Sequence, residues 1–346
     1  MSALPILDAA SLRVDYSEAA LDTLLAADDT LAVIGFGSCA PQHADPRYLR
    51  VALEPLGAAP LEHWRGSAPV TRGREAAGVR GDDIAGDGPI AWAEDGLLQF
   101  GALELAEGEH GIEATAATIY ARMLAFARSR GYPHLLRTWN YLDGITAGDG
   151  DAERYRCFCS GRARGIGTVD AATLPAATAI GLAGARRADD ARRLQVYWLA
   201  ARTPGTPLEN PRQLSAYRYP RQYGPQPPSF ARAMLPASPA MPLLLSGTAA
   251  VVGHESLHAD CVAAQLDETL RNFDSLLAAA HARRPGLPPR FGPHTRLKVY
   301  VRDRDELAEV SALLATRLDP SVPRLVLHAA VCRRELRIEI DGTHAG

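Results

Sequence analysis

Two stretches of this chain carry the same helical pattern at a fixed separation, and the rest of the fold has to accommodate both. Residues 116–126 read Ala-Ala-Thr-Ile-Tyr-Ala-Arg-Met-Leu-Ala-Phe, and residues 263–273 read Ala-Ala-Gln-Leu-Asp-Glu-Thr-Leu-Arg-Asn-Phe. Their apolar positions coincide at one offset: Ile119 with Leu266 (266 − 119 = 147), Met123 with Leu270 and Phe126 with Phe273. Steps of four and three residues keep these side chains on one helix face. A strand-like run precedes each helix (97–101 and 243–247), and another follows (136–143 and 295–303). Runs at 177–182 and 193–200 close the first copy, and runs at 324–331 and 336–341 close the second. Two matching helices alone would be a weak sign. Matching flanks in the same order point to an internal duplication.

Each copy then reads β-α-β-(α)-β-β, an α+β unit with helices against one face of a mixed sheet. The expected division is 1–202 for a first half with extra N-terminal strands, 203–239 for a connecting segment, and 240–346 for a second half. Strands at 31–37 and 48–56 are expected to extend the first sheet. The connecting segment is dense in Pro, Arg and Tyr, with Tyr217, Arg218, Tyr219, Arg221 and Tyr223 close together. Such a segment either lines a site or wraps a surface and buries its aromatics.

Composition narrows the function. The 346 residues are 47% hydrophobic, enough for a sizeable core. A net charge of −3 without long runs of one sign gives no footprint for nucleic acid. No apolar stretch is long enough to span a bilayer, and the first residues lack the basic and apolar regions of a signal peptide. Five cysteines without paired CxxC motifs suit a cytoplasmic protein with reduced thiols. His254 and His258 have helix-face spacing but no third metal ligand, so a polar loop leading into a helix is the preferred reading.

The end of the chain carries the candidate chemistry. Residues 323–342 read as a β-hairpin: two aliphatic runs around a short charged break. In the second run Leu336, Ile338 and Ile340 alternate with Glu335, Arg337, Glu339 and Asp341, giving one oily and one charged face. Arg324 at the start and Glu339 deep in the second run are therefore expected to share a sheet face. If that face is covered, desolvation raises the carboxyl pKa and makes it a general acid near neutrality. Glu335 falls at the turn, so Glu339 is preferred over Glu335 and Asp341. Cys332 ends the first run, where a small buried hydrophobe is the ordinary role. Arginine recurs around Arg154, Arg156, Arg162, Arg164, Arg218, Arg221 and Arg324, and its planar fork suits carboxylates. One such arginine is ordinarily a surface residue, but the group points to a multiply carboxylated small molecule.

These residues resemble a known family. The second half resembles the YjgF-like (reactive-intermediate deaminase) fold, whose pattern has a Ser-Gly strand, a Val-Tyr-Val strand, Pro-x-Arg and Ile-Glu-Ile and in which an arginine precedes a glutamate by fifteen positions (here 339 − 324 = 15). The longer pattern resembles the bacterial chorismatases. The matching blocks include Leu136-Arg137-Thr138-Trp139-Asn140-Tyr141-Leu142 and Arg154-Tyr155-Arg156-x-Phe158-x-x-Gly161-Arg162-Ala163-Arg164. They continue in Glu209-Asn210-Pro211-Arg212-Gln213, Ser215-Ala216-Tyr217-x-Tyr219-Pro220 and Ser246-Gly247-Thr248-Ala249. That resemblance implies cleavage of the enolpyruvyl ether of chorismate without metal or organic cofactor. Glu339 would protonate the enolpyruvyl methylene. A cysteine at position 332 resembles the type that aromatises the ring to 3-hydroxybenzoate, some members also giving 4-hydroxybenzoate. The hydrolytic type, which releases a dihydrodiol, resembles an alanine there. Arg324 and Arg162 are the first expected carboxylate ligands, with Tyr155, Tyr217, Arg218, Arg164 and Ala249 also binding substrate. Imine or enamine hydrolysis on the YjgF-like fold is the rival enzyme reading, and a non-catalytic sensor of aromatic or keto acids is the other. The duplication suits a self-sufficient pocket in a monomer or weak oligomer.

Overall fold

The duplicated pattern folds as two copies of one topology. A computed structural model describes residues 9–67, 69–75, 88–168, 170–182 and 192–346. The first copy runs β1 (Leu98–Ala106), α1 (Gly111–Ser129), β2 (His134–Asp143), α2 (Arg154–Ile166), β3 (Ala176–Leu182) and β4 (Arg193–Ala201). The second runs β5 (Leu243–Ala249), α3 (Val262–Arg283), β6 (Thr295–Val301), α4 (Leu307–Arg317), β7 (Arg324–Ala330) and β8 (Ile338–His344). The strand orders are β3-β2-β4-β1 and β7-β6-β8-β5. In both copies the helix-linked middle strands pair in parallel and the last strand inserts antiparallel. A parallel pair needs a crossover, which α2 and α4 supply.

The helices form where their apolar faces can be buried. Ile119, Met123 and Phe126 of α1 are buried against β1 and β4, together with α2. Leu266 and Phe273 of α3 sit in the second core with Ile338 and Ile340 of β8, and Leu270 is partly buried beside them. The copies join edge to edge through β7 and β3, but only Ala329↔Leu182 and Ala330↔Gly181 pair there. The result is one twelve-stranded sheet.

Two expectations are corrected. The stretch 323–342 is not a hairpin, because β6 lies between β7 and β8. Tyr300 pairs with Leu327 on one side and Glu339 on the other. The charged break therefore bridges over β6 rather than forming a tight turn. The early strands do not extend the first sheet either. Arg13–Ser17, Thr30–Phe36, Tyr48–Val51 and Leu61–Arg65 form a separate four-stranded sheet. Every residue of Thr30–Phe36 is buried, so both of its faces are covered. Leu31, Ile34, Phe36 and Trp64 pack on Trp139, Tyr197, Tyr300 and Leu327, on the side of the large sheet away from the helices. The strands that do extend the first half are Thr71–Glu75 and Ile90–Glu94.

The large sheet also curls on itself. Strand Ala233–Leu235 of the connecting segment pairs with β5, and Ala231 just before it bridges to Ala176 in β3. Strands β5 and β3 thereby meet although three others separate them in the ladder. Ala177 N donates to Ser246 Oγ at 2.9 Å, and Gly247 N donates to Thr178 Oγ1 at 3.0 Å. The ring of strands encloses the second half's charged face. Val251–Val252 and Glu255–Ser256 pair as a two-stranded hairpin that turns at Gly253 and His254, and His258, at φ 57°, lies in the loop ahead of α3, so the loop reading of His254 and His258 fits their backbone. No helix among the described residues is long and apolar enough to cross a membrane.

Candidate active site

Where β3 and β5 meet, small side chains leave a cavity of about 370 Å³. Ala177, Ala179, Gly247 and Ala249 line it from the strands, and α2, the connecting segment and the β7–β8 loop supply its charged and aromatic walls. The β5–β8 register shifts between Leu245 and Thr248, a bulge that places Gly247 beside the cavity. A Cβ built at Gly247 would overlap Glu339 Oε1, so only glycine lets the carboxyl lie against this backbone. Helix α3 fixes the flanking loops from behind. Asn272 Nδ2 donates to Ala249 O and Val251 O at 3.0 and 2.9 Å. Gln265 Nε2 donates to Glu335 O at 2.8 Å, and Arg337 N donates to Gln265 Oε1 at 2.8 Å.

Glu339 is the buried carboxyl of this cavity. It is 5% exposed. Burial, followed by the negative charge of Asp341, pushes its pKa up to about 8 against the opposing pull of Arg137, Arg232 and Arg333. At neutral pH its carboxyl therefore holds a proton. Cys332 Sγ approaches Glu339 Oε2 at 3.9 Å in a long S–H···O contact. Burial and then Glu339 hold the Cys332 pKa well above the ordinary thiol value, so it is present as a thiol. Burial likewise keeps the Tyr155 phenol protonated.

On the same cavity wall is a buried guanidinium, that of Arg162, with incomplete hydrogen bonding. Arg162 is 2% exposed and lies 5.0 Å over the Tyr120 ring. Its Nε and Nη2 are buried and make no hydrogen bond among the described residues. An unpaired buried charge costs several kcal/mol, and an anion in the cavity would complete it. Arg232 is 4% exposed and tied down by Leu214 O and the Tyr219 hydroxyl at 2.9 and 2.6 Å. Arg333 donates to His254 O and Ser256 Oγ at 2.8 and 3.0 Å and stacks over Tyr223 at 4.1 Å. Arg162, Arg232 and Arg333 thus share the cavity wall with Glu339, and Arg156 and Arg334 add to the positive field, which suits a dicarboxylate.

Of the residues singled out in the sequence, Glu339, Cys332, Arg162, Tyr155 and Ala249 line this cavity. The other four do not. Arg324 lies level with Gly342 across β6 and three residues from Leu327, which turns it away from the Glu339 face. Its Nη1 donates to Val322 O at 3.2 Å beside a separate groove under Leu56. The hairpin expectation had placed it on the wrong face. Arg164 is 57% exposed and pairs with Glu113 at 2.9 Å. Arg218 is exposed and packs over Tyr217 at 5.8 Å, and neither lines the cavity. In their place stand Arg232, Arg333, Tyr219, Tyr223 and Phe230. The dense tyrosines of the connecting segment marked part of this wall, and Arg333 was hidden in what read as a turn.

The geometry matches a known group of proteins. Residues 62–200 match the family described as chorismatase FkbO/Hyg5-like, N-terminal. A protein named chorismatase from Streptomyces hygroscopicus is 37% identical over 288 residues, 81% of this chain and 78% of that one. A chorismatase of Streptomyces rapamycinicus is 38% identical over 74% of this chain and 77% of its own length. A 3-hydroxybenzoate synthase of Streptomyces hygroscopicus is 33% identical over 73% of this chain and 75% of its own. A chorismatase crystal structure superposes with a TM-score of 0.79 at 32% identity, covering 97% of this chain and 98% of that one. The chain belongs to the chorismatase family of enzymes.

Proposed function

We propose that the protein releases pyruvate from chorismate and aromatises the remaining ring to 3-hydroxybenzoate. The observation that carries this reading is the buried Glu339 carboxyl, its pKa pushed up to about 8, in a cavity where Arg162 Nε and Nη2 find no hydrogen-bond partner among the described residues. Glu339 delivers its proton to the enolpyruvyl methylene carbon, whose π pair forms the new C–H bond. The ring carbon–oxygen bond then breaks, its electrons pass to the ether oxygen, and pyruvate leaves with its carbonyl formed. The ring cation gives up a ring proton to the Glu339 carboxylate, which restores the acid. The ring keeps one oxygen as the phenol and no water is consumed. If that oxygen moves to the carbon vacated by pyruvate, the 3-isomer results; if it stays, the 4-isomer results. In the hydrolytic alternative, water adds at the ether carbon and the ring keeps both oxygens as a dihydrodiol.

Two observations support the aromatising route. One relative carries the name 3-hydroxybenzoate synthase. Cys332, a thiol against Glu339 Oε2, occupies space where a water would otherwise reach the acid. The test is a chromatogram of products from chorismate. Wild type is expected to give hydroxybenzoate and pyruvate in equal amounts, and Cys332→Ala to shift toward dihydrodiol. An unchanged product ratio in the variant would remove Cys332 from product control, and absence of pyruvate would remove chorismate as substrate.

A further inference from the structure

Glu339 is not the only carboxyl on its face. Asp341 lies two positions along β8, on the same side of the strand, and is 0% exposed. The two acids have opposite surroundings. Asp341 Oδ2 accepts hydrogen bonds from Thr178 Oγ1 at 2.7 Å, the Tyr300 hydroxyl at 3.0 Å and Arg137 Nη2 at 3.2 Å. Lys298 Nζ stands 3.7 Å from Asp341 Oδ1. Among the described residues, Glu339 has only the long thiol contact. Thr178 ties the two carboxyls together: its Oγ1 also accepts from Arg137 Nη2 at 2.5 Å and from Gly247 N, the backbone against which Glu339 lies.

We propose that Asp341 is a positioning residue for the reaction, a carboxyl held among donors and cations that keeps its neighbour Glu339 in the acid form and in place against Gly247. When two carboxyls share a dry site, the one with donors and cations takes the charge and the other keeps the proton. Charge-stabilising groups concentrate on Asp341: Arg137 from β2, Tyr300 and Lys298 from β6 and Thr178 from β3. Lys298 is itself held by Glu62 of the four-stranded sheet at 3.0 Å, so that sheet anchors the network from below. The groups that act on Glu339 from other elements are Arg137, Arg232, Arg333, Cys332 and Tyr155, with Glu153, Arg156, Arg162, Arg334 and Glu335 also on the cavity wall. The arginines favour its charged form, and Asp341 opposes them.

The proposal rests on Glu339 acting as the acid of the reaction above, and its test separates the two. Infrared titration follows the protonated-carboxyl band that Glu339→Gln removes. In wild type the band is expected at neutral pH and lost as pH rises. In Asp341→Asn it is expected to be lost at a pH lower by about one unit or more, the size of a close like-charge effect. The alkaline limb of kcat/KM with chorismate should move by the same amount, while Asp341→Glu keeps both near wild type. If Asp341→Asn folds and titrates at the wild-type pH, the proposal is overturned even though wild type still releases pyruvate. If Asp341→Asn does not fold, the wild-type band decides: its absence at neutral pH overturns the proposal, and its presence together with rescue by Asp341→Glu supports it. Failure of wild type to turn over chorismate would sink the functional reading and leave the band measurement intact.

Discussion

The two halves of the sheet share a topology and differ in what lies against the glycine of their first strand. In the first half the β1–β4 ladder is unbroken from Arg193↔Ala106 to Ala201↔Leu98. Gly101 faces Trp198, whose ring fills the space a Cβ would need. The opposite side of that half is aromatic: Trp139 stacks on Tyr197 at 4.6 Å and meets Trp64 at 5.2 Å. In the second half the ladder is interrupted beside Gly247, and the space is taken by the Glu339 carboxyl. The inner face there carries Glu339, Asp341, Lys298 and Tyr300. The lesson is that the two copies share a scaffold: one bulge with two carboxyls gives the second its acidic face, while the first lends β3 and α2 to the cavity wall and buries the rest as core.

The comparison can be tested hardest at Glu339. Glu339→Gln keeps the shape and removes the proton, and kcat should fall by roughly 10²–10⁴-fold, the usual worth of general acid catalysis. A steady-state assay of pyruvate release reads this, and an unaffected kcat would return Glu339 to a packing role like that of Trp198. Next is Arg162→Met. It removes a charge-assisted contact of about 1.5–3 kcal/mol, so KM should rise roughly 10- to 100-fold. Because Nε and Nη2 make no hydrogen bond among the described residues, the ligand-free melting temperature should fall little, by no more than the loss of the contact with the Tyr120 ring. A lower melting temperature with unchanged KM would show Arg162 to be structural.

Alanine at the two glycines should separate the halves. Gly101→Ala overpacks Trp198 and is expected to cost about 1–3 kcal/mol of stability, with activity per folded molecule retained. Gly247→Ala displaces Glu339 and should cost mainly activity. Denaturant melts and assays of both variants would contradict the account if the losses came out reversed. The smallest effect is in the pH dependence of stability. The folded pKa of Glu339 is raised from 4.5 to about 8. Its contribution is therefore complete below the unfolded value and is lost as pH rises through about 8. The stability of wild type relative to Glu339→Gln should decline across that window, and a flat difference would argue against a raised pKa.

Much of the scaffold was legible because periodicity is local. The strand and helix order of both copies followed from alternation and helical spacing, and Ile119, Met123, Phe126, Leu266 and Phe273 are buried as the matched pattern requires. Strand neighbours were not legible. Nothing local distinguishes two strands joined by a short break from two strands separated by a third, which is how β6 came between Arg324 and Glu339. Glu339 was readable because a carboxyl between Ile338 and Ile340 invites the question of what covers it. Arg232 and Arg333 were not, because their roles arise from long-range contacts with Tyr219, Tyr223 and the turn at His254.

The central claim is that a buried, protonated Glu339 drives loss of pyruvate from chorismate. The most direct measurement is the rate of pyruvate release from chorismate by the wild-type protein as a function of pH. The account predicts a kcat/KM plateau near neutrality that falls as pH rises through about 8, where Glu339 loses its proton. No release of pyruvate, or a rate undiminished well above that pH, would contradict it.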